Sequence, residues 1–333
     1  MVVKTKSKVY TDVCLNRGLS YYDYESFPIE FNDPSKYKIV KKIGRGKYSD
    51  VYLGFKIDDE QVVVIKALKA VRRSKIHREV KILNDLKGGP SVIDLIDVVI
   101  DDLSKTISMI FELAPGPSYK QQFKFMTNFQ CKSYLYKLLM SLNHAHKNGI
   151  MHRDVKPINI IYNSAEDELY LLDWGLSDYY LPGKEYPLKV GSRLYKSPEL
   201  LVGLQSYDYS IDIWAFGVTA ATLLISLGDP FFQSQNDEDQ LFQIVSLLGS
   251  DIFNAFSLKF NLRIPSSIFK NLQNLPKKPL KNFRNDQNFE RLSDAAIDLI
   301  SKSLVMDLTE RASAAELMNH EYFADYKLMQ NLE

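Results

Sequence analysis

The sequence predicts an α+β protein of two lobes with a cleft between them. Short segments rich in Val, Ile and Tyr fill the first third of the chain, and helical periodicity dominates the remainder. A stretch with neither tendency separates the two parts. At 333 residues the chain also exceeds the length of about 250–300 residues at which a single core stops growing. A cleft between two lobes is the expected place for a ligand.

The first part of the chain predicts an arm followed by a small lobe, residues 36–112. Residues 1–35 are rich in tyrosine without a clear period, and they predict an extended arm that lies on the fold. In the small lobe we expect five strands bounded by Gly or Asp turns and one amphipathic helix, which Gly88-Gly89-Pro90 ends. The strands are predicted at Tyr37–Ile43, Asp50–Phe55, Gln61–Leu68, Val92–Ile100 and Thr106–Phe111, and the helix at Ser74–Leu86.

The second part predicts a hinge, a helical lobe and a short tail. Residues 113–118 include Ala114-Pro-Gly-Pro-Ser118, which favours neither helix nor strand and therefore predicts a hinge. The large lobe, residues 119–325, is predicted to be mainly helical, and residues 326–333 to form a tail. Its helices are predicted at Phe129–Lys147, Ile211–Leu227, Ala295–Leu304 and Ala312–Met318. The apolar run Ile213–Leu227, directly after Asp212, is shorter than the roughly 20 residues needed to cross a bilayer, so it predicts a buried core helix.

Composition excludes several classes of protein. The 42 Lys and Arg residues nearly balance the 41 Asp and Glu residues, which argues against nucleic-acid binding over the whole surface. A hydrophobic content of 45% excludes a largely disordered chain. Cys14 and Cys131 are too few for a disulfide framework or a four-cysteine zinc site. With no signal peptide or membrane segment recognised, we expect a reducing compartment, no membrane and no direct nucleic-acid partner.

A glycine-rich segment between the first two predicted strands is the first candidate site. Glycines let backbone amides approach phosphate oxygens, and Val51 could cover a purine base. A tight hairpin without function is the alternative interpretation. The dinucleotide-binding fingerprint is disfavoured because a strand, not a helix, follows the glycines. The segment is Gly44-Arg45-Gly46-Lys47-Tyr48-Ser49-Asp50-Val51.

A lysine within the third predicted strand is the second candidate. Lys66 follows Val64 and Ile65, and a lysine inside an apolar strand is unfavourable unless a partner neutralises it. Glu79 follows 13 positions later in the predicted helix. A solvated lysine on an edge strand is the alternative. With the glycine segment upstream, a phosphate-binding pair of Lys66 and Glu79 is favoured.

An ordered set of polar residues in the large lobe points to phosphoryl transfer. Asp154 can orient an attacking hydroxyl and accept its proton, and Lys156 can neutralise charge on the transferred group. Asn159 and Asp173 supply the oxygen ligands that Mg²⁺ prefers. A histidine beside an aspartate is usually structural, but the chance assembly of this whole set in this order is improbable.

The chain resembles the eukaryotic protein kinases over about residues 37–325. In this resemblance Glu199 and Arg311 form a buried ion pair, and Asp212 braces the catalytic loop. The motifs that carry it are Gly44/Gly46/Val51, Lys66, Glu79, His152–Asn159, Asp173-Trp-Gly175, Ser197-Pro-Glu199, Asp212-Ile-Trp214 and Arg311. Further segments resemble the catalytic (alpha) subunits of casein kinase II: Val9–Val13, Tyr22–Ser26, Lys87–Pro90, Gly149–Pro157, Pro198–Leu201, Tyr207–Ser210 and Asp229–Phe232. Trp174 in the metal motif, Ser49, Ile158 and the segment 113–118 depart from the usual kinase or family pattern.

The resemblance implies cofactors, partners and a nucleotide site. The cofactors are ATP, or GTP, with Mg²⁺. The partners are acidic Ser/Thr protein substrates and a regulatory beta-subunit dimer that gives a heterotetramer, and the location is cytoplasm and nucleus. The implied nucleotide contacts are Ile43, Gly44, Arg45, Gly46, Lys47, Tyr48, Ser49, Asp50, Val51, Val64, Lys66, Phe111, Glu112, Leu113, Ile161 and Leu172. Activity without phosphorylation of the activation segment is also expected, because residues 173–199 contain no threonine.

Two groups of basic residues flank the expected cleft. A solvated helix face is the usual meaning of such a run. Beside a kinase cleft, recognition of an acidic substrate is the stronger interpretation, and the resemblance implies serine or threonine followed by acidic residues. The N-terminal basic group is Lys47, Arg72, Arg73 and Lys75, expected to recognise the more distant acids. The activation-segment basic group is Lys189, Arg193 and Lys196, expected to recognise the nearer acid.

Two alternative functions remain at this stage. The first is a catalytically inactive scaffold with the same fold, against which stands the intact set of catalytic residues. The second is a proline-directed kinase of the same broad group, which needs a phosphorylated threonine in the activation segment. The absence of threonine from residues 173–199 counts against it.

Overall fold

The small lobe is built on an antiparallel sheet. The computed structural model describes residues 5–331. The sheet has five strands in the order β1-β2-β3-β5-β4. The two-lobed α+β fold is thereby confirmed. The strands are β1 Tyr37–Arg45, β2 Ser49–Lys56, β3 Val62–Leu68, β4 Leu95–Ile100 and β5 Ile107–Glu112, and the helix before β4 is α3 Arg73–Leu86.

Alternation of side chains along β3 explains how the sheet is covered. Val63 and Ile65 are buried on one face, where they join Val99 and Ile110 in a small apolar cluster. Lys66 occupies the opposite face, toward the large lobe, because successive residues of a strand point to opposite sides. On α3 the buried residues lie at spacings of three and four, which is the helical period. They include Ile76, Val80 and Leu83.

The fourth strand begins later than the sequence predicts. The prediction placed its start at Val92, but β4 begins at Leu95. Ser91 has a left-handed backbone with φ of 59°, and Val92 forms a parallel bridge with Leu171 of the large lobe. Val92 and Ile93 are apolar because they pack on the large lobe, so hydrophobicity alone was a misleading signal for the strand.

The large lobe is helical, with two small hairpins beside the cleft. Its helices are α4 Tyr119–Gln122, α5 Asn128–Lys147, α6 Pro198–Leu201, α7 Ser210–Leu224, α8 Asp237–Leu248, α9 Ser250–Lys259, α10 Ser266–Asn271, α11 Asp294–Ser303, α12 Ala314–Met318 and α13 Ala324–Met329. The hairpins pair β6 Ile150–Met151 with β9 Asp178–Tyr179, and β7 Ile160–Asn163 with β8 Glu168–Leu171.

Two long helices form the centre of the large lobe. Thr127 starts α5 with a capping box, in which its hydroxyl accepts from the Gln130 amide. Every residue of α7 is buried, as the prediction of a core helix requires. This helix ends at Leu224 and not at Leu227, because Leu227 adopts a left-handed φ of 53° in a turn. Within residues 5–331 no single helix is long and apolar enough to span a membrane. Helices α8 and α9 taken together have the length and composition of a membrane span, but they are bent by 113° relative to each other.

The N-terminal arm is partly helical. The prediction of a wholly extended arm is wrong, because residues Val13–Arg17 form α1 and Leu19–Tyr22 form α2. The Cys14 side chain is 1% exposed, and its thiol contacts the Gly149 carbonyl. Residues 1–4 of the predicted arm and 332–333 of the predicted tail lie outside the described residues, and α13 runs across the predicted boundary at residue 325.

The loop between α3 and β4 is fixed to the large lobe. The Leu171 amide donates to the Ser91 carbonyl at 2.8 Å, and the Ile93 amide donates to the Leu171 carbonyl at 3.4 Å. Gly89 approaches the His144 ring so closely that a Cβ atom there would lie 2.3 Å from it. This segment is a physical junction between the lobes, separate from the hinge.

Candidate active site

A lysine in the cleft connects the two lobes through carboxylates. Nζ of Lys66 on β3 lies 2.7 Å from Oε1 of Glu79 on α3 and 2.9 Å from Oδ1 of Asp173 in the large lobe. Burial alone would lower the pKa of Lys66, but Glu79 and Asp173 raise it above its ordinary value. The lysine therefore remains a cation, available to bind phosphate oxygens.

The segment that carries Asp173 is held in one conformation. Asp173 has a left-handed backbone with φ of 56°. The buried indole of Trp174 donates from Nε1 to the Leu171 carbonyl at 3.0 Å. At Gly175 a Cβ atom would lie 3.1 Å from Oε2 of Glu79, so the glycine allows α3 to approach. Burial would raise the pKa of Asp173, but the Lys66 ammonium lowers it below its ordinary value, which keeps the carboxylate ionised.

The carboxylate of Asp154 lies in the loop between β6 and β7, where Lys156 and Ser192 fix it. Oδ2 accepts from Nζ of Lys156 at 2.7 Å, and Oδ1 accepts from Oγ of Ser192 at 3.0 Å. Nζ of Lys156 also donates to Oγ of Ser192 at 2.6 Å. A base, a cation and a hydroxyl group thus meet at one point of the cleft.

Asn159 and Asp173 are placed to hold a cation together. Nδ2 of Asn159 donates to the carbonyl of Asp154 at 2.9 Å and to its Oδ2 at 3.2 Å, so the amide oxygen is the atom that can face a cation. The Leu172 amide donates to the Asn159 carbonyl at 2.8 Å, which brings the following residue, Asp173, alongside. One amide oxygen and one carboxylate fit the oxygen preference of Mg²⁺.

A buried carboxylate at the start of α7 anchors the catalytic loop. Asp212 is 1% exposed and accepts from the amides of His152 at 2.8 Å and Arg153 at 2.7 Å. It also bonds Nε2 of His146 at 3.0 Å. Burial would raise the pKa of Asp212, but these partners lower it below its ordinary value. The anchor lets Arg153 hold a left-handed φ of 67° directly before Asp154.

The glycine segment forms an exposed β1–β2 hairpin over the cleft. Gly44 pairs with Val51, and the Gly46 amide donates to the Ser49 carbonyl at 2.8 Å. Lys69 supports the hairpin from the side, with Nζ 2.7 Å from the Gly46 carbonyl and 3.2 Å from Oδ1 of Asp50. Most of the predicted nucleotide contacts in this hairpin are exposed to solvent: Ile43, Arg45, Gly46, Lys47 and Tyr48.

The predicted purine contacts come from both lobes. Val64 pairs with Phe111 across β3 and β5, and Glu112 follows at the end of β5, with Leu113 next in the chain. Ile161 lies on β7, where a Cβ atom on the hinge residue Gly116 would be 2.8 Å from its Cγ2. Leu172 directly precedes the metal motif. These residues line the two sides of the hinge, where the resemblance implies a base.

The two basic groups differ in their surroundings. In the N-terminal basic group, the ammonium groups of Lys47 and Lys75 lie 5.2 and 5.4 Å from the centre of the Tyr48 ring. Arg72 and Arg73 are exposed at the start of α3. In the activation-segment basic group, Lys189 is exposed, Arg193 donates to the Gln235 carbonyl, and Lys196 forms an ion pair with Asp237 at 2.7 Å.

Sequence reasoning missed two contributors to this site. Ser192 contacts both Asp154 and Lys156. In the sequence it is marked only by its position between the basic residues Lys189 and Arg193. Asp178 is buried and lies 3.3 Å from Arg78, 3.2 Å from Arg153 and 3.7 Å from Lys184. In the sequence, the only hint of this role was that Asp178 is an acid three residues after Asp173-Trp-Gly175, close to basic residues that need a partner.

Comparison with known proteins agrees with the geometry of the cleft. Residues 37–323 match the protein kinase domain family. The chain is also 41% identical over 325 residues to a probable serine/threonine-protein kinase of Dictyostelium discoideum. The match covers 98% of this chain and 54% of that protein, so the chain spans about half the length of this relative.

Proposed function

The chain belongs to the protein kinase family, and from this premise we propose that it phosphorylates serine or threonine residues followed by acidic residues. The observation that carries the proposal is the meeting of Lys66, Glu79 and Asp173 with Asp154 and Lys156 in one cleft. ATP with Mg²⁺ is the general cofactor of this family. Transfer of labelled phosphate from ATP to a serine peptide is the direct test, and no transfer by folded protein would favour the inactive scaffold.

The residues of the cleft divide the chemistry among them. Lys66, held by Glu79, binds phosphate oxygens of the nucleotide. Asp154 orients the substrate hydroxyl and accepts its proton, while Lys156 neutralises charge on the transferred group. Asn159 and Asp173 would hold Mg²⁺, which would supply further neutralisation of phosphate charge. Positioning of this kind lowers a barrier by about 7–11 kcal/mol, more than a single side chain contributes.

The preference for acidic substrates rests on the N-terminal basic group. None of Lys47, Arg72, Arg73 and Lys75 forms an ion pair with an acid among the described residues. Each exposed pair with a substrate carboxylate contributes about 0.2–1 kcal/mol, and salt screens it. The test changes Arg72, Arg73 and Lys75 together to alanine. We expect the selectivity for a peptide with an acid three positions after the target to fall about 5- to 150-fold at low salt and less at high salt. An unchanged preference would refute this role.

Activity without activation-segment phosphorylation is the second part of the proposal. Asp178 already neutralises Arg78 and Arg153, which is the task of a phosphate group in kinases that are switched by phosphorylation. The arm supports the same segment, because the Ser7 amide donates to the Tyr180 hydroxyl at 2.8 Å and the rings of Tyr21 and Tyr179 lie 5.4 Å apart.

Two treatments test this second part. Phosphatase treatment is expected to leave turnover unchanged, whereas deletion of residues 1–30 is expected to lower it because the arm then no longer packs on the segment. Measured melting of both samples separates lost activity from lost fold. The opposite pattern, with sensitivity to phosphatase and tolerance of the deletion, would contradict the proposal.

The use of GTP, a regulatory beta-subunit dimer and a location in cytoplasm and nucleus are proposed on the resemblance to casein kinase II alone. Competition between GTP and labelled ATP tests the first, and failure of GTP to compete even in large excess counts against it. Mixing with a beta subunit and measuring mass in solution tests the second. Fractionation of cells tests the third.

A further inference from the structure

Lys196, which is expected to bind an acid of the substrate, already has an acidic partner within the protein. Nζ of Lys196 lies 2.7 Å from Oδ2 of Asp237, in the first turn of α8. The Lys196 side chain is 13% exposed, whereas that of Asp237 is 54% exposed. The cation is thus largely covered, and the acid that covers it faces solvent.

This ion pair lies beside the catalytic carboxylate. Lys196 lines one small cavity together with Asp154 and Ser192. It also directly precedes Ser197, at the end of the activation segment where the nearer acid of a substrate is expected. A carboxylate that reaches this point from a substrate must therefore share or displace the Asp237 carboxylate.

The segment that carries Asp237 is attached to the activation segment at two further points. Arg193 donates to the Gln235 carbonyl, and Nε2 of Gln240 donates to the Leu194 carbonyl at 3.3 Å. The turn before α8 is also internally fixed, because the Gln235 amide donates to Oδ2 of Asp239 at 2.8 Å. The position of Asp237 near Lys196 is consequently set by the fold and does not depend on a free side chain alone.

We propose that the Asp237 carboxylate binds the Lys196 ammonium in place of a substrate carboxylate. Asp237 thereby weakens the enzyme's preference for substrates with an acid one position after the target residue. This inference rests on the proposed acidic specificity. The N-terminal basic group carries no such internal partner among the described residues. The competition by Asp237 is therefore expected to act on the acid at the first position and not on the acid at the third.

The test is a double-mutant cycle with three peptides, which carry an acid at the first position, an acid at the third position, or neither. The measured quantity is kcat/KM for each acidic peptide divided by that for the neutral peptide. Asp237→Asn is expected to raise the first-position ratio about two- to five-fold, the size of an exposed ion pair, and to leave the third-position ratio unchanged. The gain is expected to shrink at high salt.

Two further variants identify the route of the effect. In a Lys196→Met background, Asp237→Asn is expected to give no gain, because the cation that it releases is missing. Glu238→Gln is the matched control, since Glu238 carries the same charge in the same helical turn and forms no ion pair within residues 5–331. It is expected to leave the ratios unchanged.

The outcomes separate this inference from the proposed function. An unchanged first-position ratio in Asp237→Asn, with third-position selectivity present, overturns the role of Asp237 alone. An equal gain in the Lys196→Met background, or with Glu238→Gln, overturns it as well, because the effect would then be one of general charge. If the wild type and all variants give equal kcat/KM for the acidic and neutral peptides, both the acidic specificity and this inference are refuted.

Discussion

The catalytic loop and the glycine hairpin face the same cleft but are built in opposite ways. In the catalytic loop, His152, Arg153 and Asp154 are 0, 4 and 7% exposed. In the glycine hairpin, Ile43 and Tyr48 are 49 and 51% exposed. The first is held by the buried carboxylate of Asp212, whereas the second is supported by partly exposed ion pairs of Asp50 with Lys42 and Lys69.

This difference separates two tasks of the proposed phosphoryl transfer. Proton transfer requires Asp154 within hydrogen-bond reach of the hydroxyl group, and a small displacement has a large effect on rate. Nucleotide entry and exit instead require that the hairpin move. Changes in the catalytic loop should therefore alter kcat, and changes in the glycine hairpin should alter KM for ATP.

The largest effect is expected from the two charged groups that the proposed function places against the reactants. Asp154→Asn removes the proton acceptor, and Lys66→Met removes the cation between Glu79 and Asp173. Each is expected to lower kcat by about 10²- to 10⁴-fold. Steady-state kinetics measures the loss, and thermal melting shows that the fold persists. Turnover like that of the wild type in either folded variant would remove the basis for the proposed activity.

Asp212→Asn tests whether the anchor, and not Asp154 alone, sets the rate. The amide can accept only part of the bonds from His146, His152 and Arg153, so Asp154 is displaced. We expect kcat to fall about 10²-fold while KM for ATP stays near its original value. A change in KM alone would contradict the division of tasks between the two regions.

The same variant has a pH signature in stability. The pKa of Asp212 is lowered in the folded protein, so its stabilising contribution is present above the unfolded pKa of about 4 and is lost as pH falls below it. The gap in melting temperature between wild type and Asp212→Asn should therefore narrow in acid. A gap that widens below about pH 4 would be inconsistent with an ionised anchor.

Gly175→Ala tests the contact between the small lobe and the metal motif. The added Cβ would lie 3.1 Å from Oε2 of Glu79, so the carboxylate must shift relative to Lys66. We expect kcat to fall about tenfold, since weakening the pair by about 1.4 kcal/mol gives that factor. Gly183→Ala is the control, because at its φ of 76° the substitution strains the backbone while its Cβ meets no atom within 4 Å. Equal losses in both variants would indicate a general effect of strain.

The smallest effect is expected at the support of the glycine hairpin. Lys69→Met removes the bond to the Gly46 carbonyl and the ion pair with Asp50, both partly exposed. We expect KM for ATP to rise about two- to five-fold with kcat unchanged. Lys41→Met, at an exposed position of β1, serves as the control. A loss in kcat would show that the hairpin is as tightly coupled to chemistry as the catalytic loop.

Local patterns made much of the fold predictable. Apolar spacing located α3 within one residue of its start, and richness in Val and Ile between turn residues located β3. The errors arise where an apolar residue packs on another part of the fold, as Val92 does on the large lobe, or where a helix is too short to show a period, as in α1 and α2. The end of α7 was also not predicted, because Ile225 and Ser226 are not typical turn residues and give no indication that Leu227 adopts a left-handed conformation.

The candidate site was predictable where a motif fixes both residue type and spacing, as for Asp154, Asn159 and Asp173. It was not predictable where two distant segments meet. Lys196 looked like a free cation, yet Asp237 neutralises it from 41 positions away. Ser192 gave too little signal because a serine is common in loops, and only its two contacts distinguish it.

The junction at Ser91 to Ile93 gives the small lobe the mechanics of a lever. Its backbone bonds to Leu171 lie next to β4, the edge strand of the sheet. With strands about 4.8 Å apart, β3 and Lys66 lie about 10 Å from this fulcrum, and β2 and β1 about 14–19 Å from it. Any rotation about the junction therefore carries the glycine hairpin about one and a half to two times as far as the lysine. The ion pair of Lys66 with Glu79 moves with the small lobe, whereas the contact of Lys66 with Asp173 crosses to the large lobe and opens as the hairpin lifts.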